Sequence, residues 1–181
     1  MFSKEFGSED PFGEAVRVAR SMGEDDFFAF VPHIGIASGQ VIVGYAGTQV
    51  MYNCSVFGAP VALAARCAGI KPNVPETTDS GFPAFSCVIT FPDAEWGEHD
   101  FDHYFAPRTH IDMDGKTREM ANTWKELPAR AFKPKNIPEL EIRQVVDQGF
   151  YIPSASPEDS AKKIVRDLRR ANRYWPEVKE P

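Results

Sequence analysis

Apolar residues recur at helical spacing near the start of the chain. Phe12, Ala15, Val16, Ala19 and Met22 share one face, Asp10 stands where a helix cap belongs, and Pro11 takes the first helical position. An amphipathic helix over residues 10–22 is predicted. Before it, Met1 and Phe2 read as the tail of an apolar strand. Over residues 33–45 the pattern changes to β-branched residues and glycine, which predicts a hairpin turning at Ser38 and Gly39. Its interior glycines, Gly35 and Gly44, mark a bulge or a close backbone approach. Residues 53–57 form a third short strand, and Gly58 and Pro60 then open a helix whose Val61, Ala64, Ala65 and Ala68 make a small-residue face suited to tight packing on a sheet.

Residues 71–83, rich in Pro, Thr and Ser, read as a loop. The apolar run 85–91 predicts a buried strand, residues 93–102 an acidic loop, and Asp114 with Gly115 a hairpin turn between strands at 109–113 and 116–120. A strand over 137–146 closes the core. The last element is an amphipathic helix capped by Ser156, with Ala161, Ile164, Val165, Leu168 and Trp175 on one stripe. Its other face carries six basic side chains against three acidic ones, read as a solvated face or, alternatively, as a contact for an acidic partner. Strands and helices mixed in this way predict an α+β fold.

Composition removes several functions. With 20 Lys and Arg against 26 Asp and Glu, the net charge of -6 argues against general nucleic-acid binding, which relies on neutralising phosphates. No run approaches the ~18 apolar residues of a membrane span, and the start lacks a signal-peptide pattern, so a cytoplasmic location is expected. Cys54, Cys67 and Cys87 are widely spaced and suggest neither a disulfide framework nor a zinc site. His99 and His103, in HDFDH, would share a helical face as metal ligands can, but without a third ligand an acidic loop is the simpler account. Gly39, Gly44 and Gly47 lack the dinucleotide-binding spacing, and Ser38 is not in a nucleophile elbow.

Two blocks carry more information. HIGIASGQVIVGYAG (33–47) resembles the RIGIHSGPVVAGxxG hairpin of class III nucleotide (adenylate and guanylate) cyclase catalytic domains, and NCSVFGAPVALAAR (53–66) resembles their xYDxWGDxVNxAxR segment. The likeness runs from the helix at Asp10 to the strand near Val146, where KNIPELEI (135–142) is similar to the family's KGxxxPxxxY ending. The resemblance implies a ferredoxin-like cyclase fold, with a mostly antiparallel sheet and helices packed on one face. It implies a partial cyclase homology domain over residues 1–147 and a C-terminal extension with the amphipathic helix over 148–181. The family's first strand, FxDxxG, and its GD hairpin are not found upstream of Asp10, so the domain is expected to be N-terminally truncated, with Met1 an internal methionine of a longer ancestral domain.

Such cyclases convert a nucleoside triphosphate to a 3′,5′-cyclic nucleotide and pyrophosphate for intracellular signalling, in a site shared by two chains that holds Mg2+ or Mn2+ on two aspartates. The resemblance places Arg66 on the transition-state arginine, which without the resemblance would read as a structural ion-pair partner. It makes Ser55 the base-selecting residue and puts Phe57 and Gly58 in the turn of the pocket. Ala62 falls where the family has a ribose-orienting Asn, Ala59 replaces an Asp or Asn, and Lys135 is the candidate for the phosphate-facing lysine, with a surface lysine as the equal alternative. Alone the chain is expected to be inactive, the metal ligands being absent from it. Paired as a homodimer, or as a heterodimer with a cyclase chain, it would contribute the half-site of Arg66 and the base pocket. Two other readings stand beside this one: an inactive cyclase-homology module that binds a partner or nucleotide, and a pyrimidine (UTP or CTP) cyclase of anti-phage defence.

Overall fold

The computed structural model describes residues 1–24, 31–47, 52–77, 84–97, 99–107, 109–111, 115–119 and 122–148. Helix α1 (Pro11–Glu24) starts where expected, because the Asp10 carboxylate accepts a hydrogen bond from the Gly13 amide at 2.9 Å. Its Phe12, Val16 and Ala19 are buried against β4 (Cys87–Pro92). Strand β4 is buried at every position, Thr90 included, as a mainly apolar run favours, and pairs on both sides. On one side β1 (His33–Gly35) lies parallel to it, with Ile34 opposite Ile89. On the other, β8 (Leu140–Asp147) runs antiparallel, and β7 (Trp124–Phe132) pairs antiparallel with β8 beyond it. The four-stranded sheet is therefore mixed, in the order β1-β4-β8-β7.

The alternation of β4 divides two cores. Cys87, Ile89 and Phe91 face α1 together with the short helices α3 (Asp93–Trp96) and α4 (Phe101–Tyr104). Val88 faces the opposite way with Phe85, Leu127 and Val146. On that second face α2 (Ala59–Ala68) lies against β1, with Cys67 fully buried. Helices thus pack on both faces, which corrects the expectation of one. The reason is local: Gly35 has no side chain, and a Cβ there would collide with the Ala64 carbonyl oxygen and stand 2.6 Å from the Ala68 amide nitrogen. The close approach foreseen at this glycine is what admits α2.

The expected hairpin over 33–45 is not formed. Strand β1 enters the large sheet, and β2 (Ile42–Gly47) pairs instead with β3 (Tyr52–Phe57) in unbroken antiparallel register, Ile42 opposite Phe57 and Gly47 opposite Tyr52. Ser38 is held by Glu95, whose two carboxylate oxygens accept from the Ser38 amide at 2.8 Å and its hydroxyl at 2.7 Å, so this segment is tied to α3 and does not fold back on β1. Gly44 sits in an unbulged strand with open space where a side chain would begin.

Other differences follow from long-range contacts. Residues 1–3 lie in no strand, and Lys4–Phe6 forms a single tight turn. The acidic stretch 93–102 supplies α3 and the start of α4. Strand β7 went unforeseen because Pro128 interrupts its alternation; the proline sits in a register shift between Leu127 and Arg130, on the edge strand where a missing donor is tolerated. Strands β5 (Thr109–Ile111) and β6 (Thr117–Glu119) pair antiparallel as expected, with Gly115 between them at φ 76°. Residues 78–83, the turn residue Asp114 and the C-terminal helix of residues 156–175 lie outside the described residues.

Two glycine substitutions test this packing. Gly35→Ala is expected to destabilise the fold by about 3 kcal/mol, since backbone atoms of α2 must move. Gly44→Ala, entering open space, should change stability by less than about 0.5 kcal/mol. Urea denaturation of both variants checks the contrast, and equal effects would contradict it.

Candidate functional site

Five of the six residues singled out by the sequence fall in one continuous strand, turn and helix. Strand β3 carries Ser55 and Phe57. Ser55 is half-buried opposite Gly44, whose missing side chain leaves that face of the strand open. Phe57 ends the strand half-exposed. Gly58 makes the turn at φ 153°, a conformation that side-chain-bearing residues avoid, and a Cβ there would meet the Gln40 carbonyl oxygen at 2.9 Å. Helix α2 follows with Pro60 in its first turn, and Gly39 packs against that proline. Ala62 and Arg66, one helical turn apart, are both exposed on the same side of α2.

Arg66 lies in the last turn of α2, where a cation also complements the helix dipole. The described residues offer it no ion-pair partner, so the structural pairing that its residue type alone suggested is not seen among them. The sixth residue, Lys135, is exposed in the connection between β7 and β8, outside this unit. The exit of α2 is nonetheless tied to those strands: Arg130 donates to the Lys71 carbonyl at 2.6 Å, and the buried Gln144 donates to the Ile70 carbonyl at 3.2 Å and to Thr90 at 2.9 Å.

The surroundings of the unit are unusual in charge. Residues 34–65 contain no Asp, Glu, Lys, Arg or His, in a chain of which 25% is charged. Several large apolar side chains in this stretch are exposed: Ile42 and Tyr45 by about three quarters, and Val43, Phe57 and Val61 by 43–50%. A two-stranded ribbon with such a surface is marginal in water by itself. Arg66 is the first charge after it.

The HDFDH cluster does not gather ligands. His99 precedes α4, with Nδ1 2.8 Å from the Trp96 carbonyl and Nε2 3.4 Å from Asp10, while His103 Nε2 lies 3.1 Å from the Arg17 guanidinium. Among the described residues no group of three His, Cys, Asp or Glu side chains could hold a metal ion. Asp10 is held below the usual carboxylate range, chiefly by the Gly13 amide and further by the Tyr104 hydroxyl and His99. The pairing of Glu95 with Ser38 was missed from the sequence. Nothing local announces a contact between residues 57 positions apart, one of them in a stretch read as an acidic loop.

Known protein families, curated proteins and solved structures were compared with this chain, and none matches. What the structure defines is an α+β domain built on a mixed four-stranded sheet, with no helix among the described residues long and apolar enough to cross a membrane.

The thiols of this domain give a direct test of its interior. Burial, with the charge of Glu95 adding to it, pushes Cys67 up to about 11, and burial, with Asp147 and Glu24 adding to it, pushes Cys87 up to about 12. Only thiolates are alkylated rapidly. At about pH 8, iodoacetamide followed by peptide mass spectrometry should leave both unmodified in the native chain and modify both in urea; rapid native labelling of either would contradict the packing described.

Proposed function

We propose that this chain is part of a class III nucleotide cyclase, contributing the base-reading and transition-state half of a site shared by two chains. The observation that carries this reading is the Ser55-to-Arg66 unit, in which a glycine turn joins a strand directly to a helix and Arg66 is exposed at the end of an uncharged stretch. In such a site the guanidinium would bind phosphate oxygens and stabilise the charge that builds on them as the 3′-oxygen attacks the α-phosphorus. Ser55 would meet the base as donor or acceptor, a role that selects no single base.

The exposed, uncharged ribbon of β2 and β3 supports pairing with a second chain, as a homodimer or with a separate cyclase chain. Among the described residues no group of three or more His, Cys, Asp or Glu side chains could hold a metal ion, and the resemblance supplies no aspartate pair for the family's Mg2+ or Mn2+. No step is therefore derived through metal on this chain.

Two alanines favour a second reading. Ala59 and Ala62 are exposed on α2 where the family has polar side chains, and alanine makes no hydrogen bond to a ribose. Removing one such contact typically costs about 10²–10³ in rate. The same unit could then bind a nucleotide without turning it over.

Calorimetric titration with each of the four ribonucleoside triphosphates in manganese, beside an assay for cyclic product, tests both readings. Saturable binding of at least one nucleotide is expected, with no product from this chain alone. Arg66→Glu should weaken binding about tenfold or more, ~1.4 kcal/mol, with Tm lowered by no more than a few degrees, since Arg66 is exposed and the reversed charge meets only the dipole of α2. No binding of any nucleotide, or an Arg66→Glu variant that binds like wild type, would overturn the assignment.

A further inference from the structure

We propose that Gln144 and Arg130 are positioning residues of the half-site, a polar clamp that fixes the exit of α2 and through it the place of Arg66; the proposal rests on the nucleotide-binding reading of that site. Gln144 stands among apolar neighbours. It lies two residues from Val146 on β8, so it shares the face that Val146 forms with Phe85, Val88 and Leu127, and it is 2% exposed. Burying an amide there is costly unless its groups are bonded.

Its donors and its oxygen are all engaged. Nε2 donates to the Ile70 carbonyl at 3.2 Å and to the Thr90 hydroxyl at 2.9 Å, while Oε1 accepts from Arg130 Nη2 at 2.9 Å. The partners permit one orientation of the amide: a carbonyl only accepts and a guanidinium only donates, so the reversed amide would set oxygen against oxygen and donor against donor. The same Arg130 nitrogen donates to the Lys71 carbonyl at 2.6 Å. Two consecutive carbonyls beyond α2 are thus held from two strands.

The irregularity in β7 explains why Arg130 reaches this face. Leu127 pairs with Gln144 and Arg130 with Ile142, so Pro128 and Ala129 together span the single position of Arg143. In an unbroken strand Arg130 would face away from Leu127; the extra residue returns it to the Leu127 face, toward α2. The bulge aims the guanidinium.

What the clamp grips is the segment that closes the helix. The Gly69 amide donates to the Arg66 carbonyl and the Ile70 amide to the Cys67 carbonyl, each at 3.1 Å. Ile70 cannot swing away without loosening the turn that carries Arg66. Gly35 seats α2 at Ala64 and Ala68, and the clamp fixes its exit, so Arg66 is held by its backbone from both directions. No ion pair among the described residues holds its exposed side chain, and the backbone of this turn decides where the guanidinium can reach.

The test combines titration with each ribonucleoside triphosphate in manganese and site-resolved hydrogen exchange, on the full chain as wild type, Gln144→Met, Arg66→Ala and the double variant. Gln144→Met keeps the length of the side chain and loses its hydrogen bonds. The Gly69 and Ile70 amides should then exchange about tenfold faster, beyond any change at Val16 and Ala19 of α1. Nucleotide binding should weaken about fivefold, and by much less where Arg66 is already alanine, as expected of a residue that acts through Arg66. Arg130→Leu, at a partly buried position, should show both effects and decides the matter if Gln144→Met fails to fold. Unchanged binding, weakening equal in both backgrounds, or exchange at Gly69 and Ile70 that moves only in step with α1 overturns the proposal. If wild type binds no nucleotide, the half-site reading itself falls, and the clamp then stands or falls on exchange alone.

Discussion

The contact between Gly35 and the backbone of α2 is the constraint on which the rest of this arrangement depends. A strand and a helix can approach this closely only where one of them has no side chain, and β1 offers that at a single position opposite Ala64 and Ala68. The contact seats α2 on the sheet face away from α1, so that β4 is covered on both sides and its apolar alternation is fully used. It also sets the direction in which α2 leaves Gly58, and with it the side on which Ala62 and Arg66 emerge.

The strands that precede α2 lie outside the four-stranded sheet. Strands β2 and β3 pair only with each other among the described residues, and their apolar side chains reach into solvent without a charge to accompany them for more than thirty residues of sequence. Three ties join the segments on either side of this ribbon to the core: Glu95 on Ser38, Gly39 against Pro60, and Arg130 with Gln144 on the carbonyls that follow α2. The exposed, uncharged ribbon is the surface that the proposed second chain would cover.

Much of this was legible in the order of residues, and what was not has a common cause. Helix α1 could be read because its cap, first-turn proline and apolar spacing are all local, and β4 because six consecutive buried positions leave little else for the segment to be. Gly35 was correctly marked as a close approach, while the identical signal at Gly44 marked open space; a glycine states that a side chain is absent and says nothing of what stands opposite. The pairing of β1 depends on β4, more than fifty residues away, and β7 hides behind Pro128. The site residues Ser55, Phe57, Gly58, Ala62 and Arg66 were brought together because they are neighbours in sequence, whereas Lys135, assigned by resemblance alone, lies outside that unit.

The central claim is that the Ser55-to-Arg66 unit is a nucleotide-binding half-site mounted on the sheet through Gly35. Backbone amide NMR spectra of the isotopically labelled full chain, recorded as a magnesium-bound nucleoside triphosphate is added, test it most directly. The account predicts saturable shifts centred on Ser55, Gly58, Ala62 and Arg66, with the amides of β8 unmoved. Shifts confined to other elements, or none at millimolar nucleotide, would contradict it.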